Sequence, residues 1–112
     1  MKLSDHVVRR WLERVRGINP AKVVTHMKAN GWHGMIGEDD FLWWLENKLG
    51  LDIAQVRFEI EAEFSNSRFA GPSDRNGVRM RTPICEFIAV ERQGNVDIVT
   101  VLPARPTTVK PN

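Results

Sequence analysis

The spacing of apolar residues changes once along this chain, and that change constrains the fold more than any other feature. From about residue 4 to residue 64, apolar residues recur every three or four positions, which is the period of a helix packed on one face. From about residue 78 to residue 103 they alternate, and β-branched residues dominate, which is typical of strands. The sequence therefore predicts an α+β fold, with three or four N-terminal helices packed on a small antiparallel β-sheet.

Most of the predicted helices begin at a residue that can cap a helix. Such residues accept a hydrogen bond from a free backbone N–H of the first turn, and a proline in the first turn needs no such bond. The third helix is predicted over about residues 39 to 48, before Gly50. The predicted starts of the other three are Ser4 or Asp5, Asn19 with Pro20, and Asp52.

Three segments near the C-terminus are predicted as strands. They read VRMRT, ICEFIAVER and VDIVTVLP, and QGN between the last two is a hairpin signal. Two or three antiparallel strands are expected, after a loop that reads SNSRFAGPSDRNG. In the last strand, alternation predicts that Val96, Ile98, Thr100 and Leu102 share one face.

The length and the single cysteine limit what the chain can be. Its 112 residues predict one domain over 1–104, with a proline-rich flexible tail over 105–112. Cys85 is the only cysteine, so an intramolecular disulfide and a multi-cysteine metal site are excluded, and a cytoplasmic location is expected. No apolar run approaches the roughly 20 residues that a membrane span needs, so no membrane partner is expected.

The charge is distributed in blocks although the net charge is only +2. Residues 1–37 carry seven Lys/Arg and two acids, residues 38–63 carry eight acids and two Lys/Arg, and the remainder carries seven Lys/Arg and four acids. This pattern favours separate electrostatic faces. The alternative is that these charges are merely solvated surfaces of helices and strands.

The polar side of the first helix carries a candidate site. At about 100° per residue, His6, Arg10 and Glu13 lie on one side, opposite the apolar residues. A histidine beside a fixed cation suits proton transfer next to an anionic substrate, and an arginine fork suits phosphate. Alternatively, both residues are simply exposed, and Arg10 pairs with Glu13 three positions later.

Two features of the strands extend this candidate site. Thr100 interrupts an apolar row, so its hydroxyl either finds a backbone partner in the core or contacts a phosphate. Arg79 and Arg81 alternate along VRMRT and present positive charge on one strand face. The alternative for these arginines is a charged edge strand that resists aggregation.

Two short stretches carry a resemblance to a known superfamily. His6-Val7-Val8-Arg9-Arg10 near the start and Ile98-Val99-Thr100-Val101-Leu102-Pro103 near the end bracket helices and a short sheet. This order resembles small bacterial and phage proteins of the barnase, EndoU, colicin and RelE-like nuclease superfamily. The resemblance implies a cleft between sheet and helix in which RNA is cut by attack of the ribose 2′-hydroxyl on the adjacent phosphate.

The resemblance also implies residue roles. His6 would be the base or the acid, Arg10 the phosphate clamp and Thr100 a hydroxyl contact to phosphate. Arg79 and Arg81 would bind substrate through additional positive charge. No metal or other cofactor is expected, and the absence of tyrosine from the sequence excludes any scheme that needs one.

A different class of function fits the acidic segment 38–63. It would repel RNA, and its aromatic residues suit a basic protein partner of a non-catalytic, phage-related or toxin-associated interaction domain. Trp43 and Trp44 cannot share one helical face, so one is predicted in the core and the other partly exposed. A metal site is not predicted, because the spacing of His26, His33, Asp39 and Asp40 matches no ligand motif.

Overall fold

A computed structural model describes residues 3–74 and 76–104 of the chain. Four helices are followed by a four-stranded antiparallel sheet, which confirms the predicted α+β class. The predicted tail, residues 105–112, lies outside the described residues. No helix in the described part of the chain is long and apolar enough to cross a membrane. The elements are α1 Asp5–Arg14, α2 Pro20–Ala29, α3 Glu38–Asn47, α4 Ile53–Ser65, β1 Arg68–Pro72, β2 Val78–Arg81, β3 Cys85–Arg92 and β4 Asn95–Pro103.

The predicted capping residues begin three of the helices. The Ser4 hydroxyl accepts a hydrogen bond from a backbone N–H of α1, Asn19 does the same for α2, and Asp52 does so for α4. The helix α3 begins after Gly37, whose backbone N–H donates to the Asp40 carboxylate at 2.9 Å. The predicted caps of α1, α2 and α4 are therefore confirmed, and each satisfies backbone donors of its own first turn.

The sheet has the order β1-β2-β3-β4, so β1 and β4 are its edges. The prediction of a loop over the whole of SNSRFAGPSDRNG is wrong, because Arg68–Pro72 pairs with β2. The pairing is irregular, since Phe69 lies opposite Met80 whereas Gly71 lies opposite Arg79, which leaves one extra residue. Such a short strand with a bulge has little alternation for a pattern to reveal.

A bulge at Val99 changes which residues of β4 face the core. Ala89 on β3 pairs with Ile98, and the next pair joins Ile88 with Thr100, so Val99 has no partner of its own. As a result Ile98 and Val101 are both buried, whereas Thr100 lies on the opposite side of the strand. The single apolar face predicted for this strand is therefore wrong.

The helices pack on one face of the sheet through aromatic side chains. On that face Phe87 stacks on Trp11 of α1, with ring centroids 6.1 Å apart, and meets Phe64 of α4 edge to face at 5.3 Å. Trp44 is in the core while Trp43 is 49% exposed, which confirms the predicted division between them.

The other side of the sheet points away from Trp11 and Phe64, because side chains alternate along a strand. Its residues are mostly half exposed, with one exception, Glu86. We call this surface the outer face. Its central members are Arg79, Arg81, Glu86, Ile88 and Thr100.

Candidate functional site

The outer face brings together three of the five predicted site residues. Arg79 lies opposite Ile88, which lies opposite Thr100, so the three form one row across β2, β3 and β4. In the next row, Arg81 lies opposite Glu86. Because β2 lies between β1 and β3, the alternative that the arginines guard an edge strand is wrong.

A buried carboxylate lies beneath the two arginines. Glu86 is only 1% exposed, although it belongs to the outer face. Nη2 of Arg81 lies 3.3 Å from one of its oxygens, and Nη1 of Arg79 lies 3.7 Å from the other. Burying a carboxylate without such cations would be costly, so the arginines and Glu86 stabilise one another.

The guanidinium groups retain hydrogen-bonding capacity beyond Glu86. Both distances exceed the roughly 2.7–2.9 Å of a strong charge-assisted hydrogen bond. Nε of Arg79 is buried and has no hydrogen-bond partner among the described residues. Arg68 of β1 lies opposite Arg81 and adds a third cation at the same place. Donors and net positive charge are thus available to an anion on the outer face.

Thr100 lies beside this cluster and is not sealed in the core. It is half buried, and its hydroxyl has no hydrogen bond to a residue that the structure describes. Since Leu102 is the residue opposite Glu86, Thr100 is the diagonal neighbour of Glu86, roughly 7–8 Å away between α-carbons. A hydroxyl at this position is available to a ligand that the arginines hold.

His6 pairs with an acid from another helix. Its Nδ1 lies 2.8 Å from a carboxylate oxygen of Glu38, the first residue of α3. Both side chains are more than a third exposed. A carboxylate at Nδ1 orients the imidazole and leaves Nε2 for another partner, which is the arrangement that a histidine general base uses.

Arg10 is engaged by Glu13, which is the alternative interpretation of the polar side of α1. Nη1 of Arg10 donates to Glu13 at 2.8 Å, and Nε of Arg9 donates to the other oxygen at 2.9 Å. Burial acts to raise the pKa of Glu13, but hydrogen bonds from Arg9 and Arg10 outweigh it, so the pKa lies below its usual value. A role for Arg10 as a phosphate clamp stays a prediction.

The predicted site residues therefore fall into two groups. Arg79, Arg81 and Thr100 share the outer face, whereas His6 and Arg10 belong to α1, whose Trp11 packs against the opposite face. No group of three or more His, Cys, Asp or Glu residues that could hold a metal ion occurs in residues 3–74 and 76–104.

No protein-family model matches the chain, and neither a curated protein nor a solved structure matches it. The case for any function consequently rests on the geometry of the chain itself.

Proposed function

We propose that this protein is a metal-independent, RNA-cleaving domain that binds the phosphate backbone on its outer face. The observation that supports this most is the shared location of Arg79, Arg81 and Thr100 around the buried carboxylate of Glu86. Cations that stabilise developing charge and a carboxylate that accepts a proton are the kinds of group that phosphodiester cleavage by acid–base chemistry uses. A cytoplasmic site of action is part of the same proposal.

In the proposed chemistry, the arginines bind the phosphate and Glu86 accepts a proton. The arginines take hold of a phosphodiester and stabilise the charge that develops on it. As the phosphate takes up donors of Arg79 and Arg81, the Glu86 carboxylate accepts the proton of the ribose 2′-hydroxyl. That oxygen then bonds to phosphorus, the bond to the 5′-oxygen breaks, and the leaving oxygen takes a proton from solvent water, to which Glu86 afterwards returns its own proton. His6, held by Glu38, stays the second candidate for a proton transfer.

The first experiment measures cleavage of a mixed-sequence RNA in EDTA by wild type, Glu86→Gln and Arg81→Gln. Because Arg81 also stabilises the buried Glu86, the free energy of unfolding of each variant is measured beside its cleavage rate. We expect both variants to lose at least about 100-fold in rate, the usual scale for removing a proton-transfer or charge-stabilising group. Lys22→Gln, an exposed cation of α2, is the matched control and should cleave like wild type.

His6→Ala in the same experiment distinguishes the two groups of predicted residues. Loss of cleavage in His6→Ala alone, with Glu86→Gln fully active, would move the chemistry to α1. Absence of cleavage by folded wild-type protein across about pH 5 to 8, the range of histidine chemistry, would contradict the enzyme proposal.

A second candidate function is binding of a basic protein partner by the acidic segment 38–63. The observation that favours it is exposure of large apolar side chains: Trp43 is 49% exposed and Phe58 is 65% exposed, on the two helices of that segment. Exposed aromatics among acids suit a cationic partner surface. Adding a lysine-rich amphipathic peptide should then change the tryptophan fluorescence of wild type, whereas the fluorescence of Trp43→Ala should stay the same. If the peptide does not change the fluorescence of wild type, this candidate function is contradicted.

A further inference from the structure

A groove lies between the start of α1 and the hairpin of β3 and β4. Its volume is about 340 Å³, which is within the range of small-molecule sites. It shares no residue with the central members of the outer face. The residues that line it are Ser4, His6, Arg92, Asp97, Ile98 and Val99.

Two side chains of opposite charge in this groove have no ion-pair partner among the described residues. The side chains of Arg92, the last residue of β3, and of Asp97 in β4 make no ion pair or hydrogen bond with any residue that the structure describes. By contrast, other arginines of the domain, such as Arg16 and Arg57, are paired with acids. An available cation and an available carboxylate in one groove suit a ligand that has an anionic group and hydrogen-bond donors.

His6 and the floor of the groove add two further constraints on the ligand. Because Nδ1 of His6 is bound to Glu38, the orientation of the ring is fixed and Nε2 is the nitrogen left for a ligand. Nε2 has no hydrogen-bond partner in the described part of the chain. Between the polar groups, Val99 provides an apolar surface that is 42% exposed, whereas Ile98, which also lines the groove, is buried. A flat apolar ring can lie on such a surface.

We propose that this groove binds a nucleoside monophosphate. The Arg92 guanidinium holds the phosphate, since an arginine fork matches two phosphate oxygens, and Nε2 of His6 accepts a hydrogen bond from a ribose hydroxyl. Asp97 accepts from the amino group of the base, as acidic side chains do when they contact base edges. The ring of the base lies on the exposed side chain of Val99. This inference does not depend on RNA cleavage, because Arg79, Arg81 and Glu86 line no part of the groove.

The test is a titration of ¹⁵N-labelled protein, followed by amide chemical shifts, with cytidine 5′-monophosphate, cytidine and inorganic phosphate. We expect the amides of His6 and Val99 to shift with the nucleotide at about millimolar Kd, a modest affinity suited to a shallow groove. Arg92→Gln should raise that Kd about tenfold, the value of one charge-assisted contact. Asp97→Asn should weaken the nucleotide but leave the response to inorganic phosphate unchanged.

Lys22→Gln removes a cation elsewhere and should bind the nucleotide like wild type. The proposal is overturned if no groove amide shifts up to about 10 mM nucleotide, roughly ten times the expected Kd. It is also overturned if Arg92→Gln binds equally well, or if inorganic phosphate binds as tightly as the nucleotide, which would leave a site for an anion alone. RNA cleavage can fail while the groove binds, so the two proposals fail separately.

Discussion

At the scale of single residues, Glu13 links two arginines of α1 to stability. Its pKa is below the ordinary value of 4.5 because hydrogen bonds from Arg9 and Arg10 outweigh burial. A depressed pKa in the folded state contributes stability above about pH 4.5 that is lost as pH falls through the folded value. We expect Glu13→Gln to lower the free energy of unfolding by about 1 kcal/mol at about pH 7, and by less at about pH 3.

Urea unfolding at the two pH values measures this difference. Glu46→Gln is the matched control, because Glu46 is exposed on α3 and has no ion pair with a described residue. A deficit in Glu13→Gln that stays constant between the two pH values would contradict the assignment.

The buried indole of Trp44 donates its hydrogen bond to a histidine of another helix. Its Nε1 donates to Nδ1 of His26 at 2.9 Å, so His26 satisfies a donor that the core would otherwise leave without an acceptor. His26→Ala should lower the free energy of unfolding by about 1–3 kcal/mol, the usual cost of an unsatisfied buried group. Thermal unfolding checks this, with exposed His33→Ala as control; equal stability of the two variants would show that the indole finds another acceptor.

The candidate site shows which residue properties the sequence alone can reveal. Local spacing predicted the Arg10–Glu13 pair as an alternative, because the partners are three residues apart on one helix. It could not reveal that His6 pairs with Glu38, since only the packing of α1 against α3 joins residues 32 apart. Nor could it identify Glu86, because a glutamate in an alternating strand resembles any solvated outward residue until its cross-strand partners are known.

At the scale of elements, helices were more predictable than strands. The helices of this chain carry their own caps and apolar spacing, so local rules suffice for them. The strand β1 has five residues, including glycine and proline, and its pairing with β2 supplies what its sequence does not indicate. The bulge at Val99 reversed the predicted face of Thr100, because one inserted residue exchanges the two sides of a strand.

The connection between β2 and β3 is stabilised by the hydroxyl of one threonine. The hydroxyl of buried Thr82 accepts from the backbone N–H groups of Ile84 and Cys85, each at 3.2 Å. This turn sets the register that places Arg81 opposite Glu86. Thr82→Val keeps the shape and removes the acceptor, so we expect a loss of about 2 kcal/mol in the free energy of unfolding.

Chemical denaturation of Thr82→Val and Thr25→Val measures the effect of the turn. Thr25 is exposed on α2, and its replacement makes the same change of side chain without touching a turn. An equal loss in the two variants would mean that the hydroxyl of Thr82 has no special part in the connection.

At the scale of the whole molecule, the helical layer and the sheet carry different charges. The helices bury the inner face of the sheet and carry most of the acids, and this leaves the arginines of β1 and β2 together on the outer face. The last basic block of the sequence thus supplies the cations of the outer face, whereas the first basic block contacts the acidic one, as in the pair of Arg16 with Glu59. What no local pattern could predict is that the acid at the centre of the basic surface is the most buried one, Glu86.

Phe87 joins the two layers, and its replacement tests whether they unfold as one unit. Its ring contacts both Trp11 of α1 and Phe64 of α4 and is fully buried. Phe87→Leu should lower the free energy of unfolding by about 1–2 kcal/mol, from lost aromatic contacts and imperfect repacking. Far-UV circular dichroism, which reports the helices, and reaction of the Cys85 thiol, which is buried in β3, should give coincident transitions at the lower stability. Phe69→Leu makes the same change at a side chain that is 67% exposed and should lie within about 0.5 kcal/mol of wild type. If the two probes separate in Phe87→Leu, the helical layer unfolds apart from the sheet, and the outer face would then need no helices to keep its arginines in register.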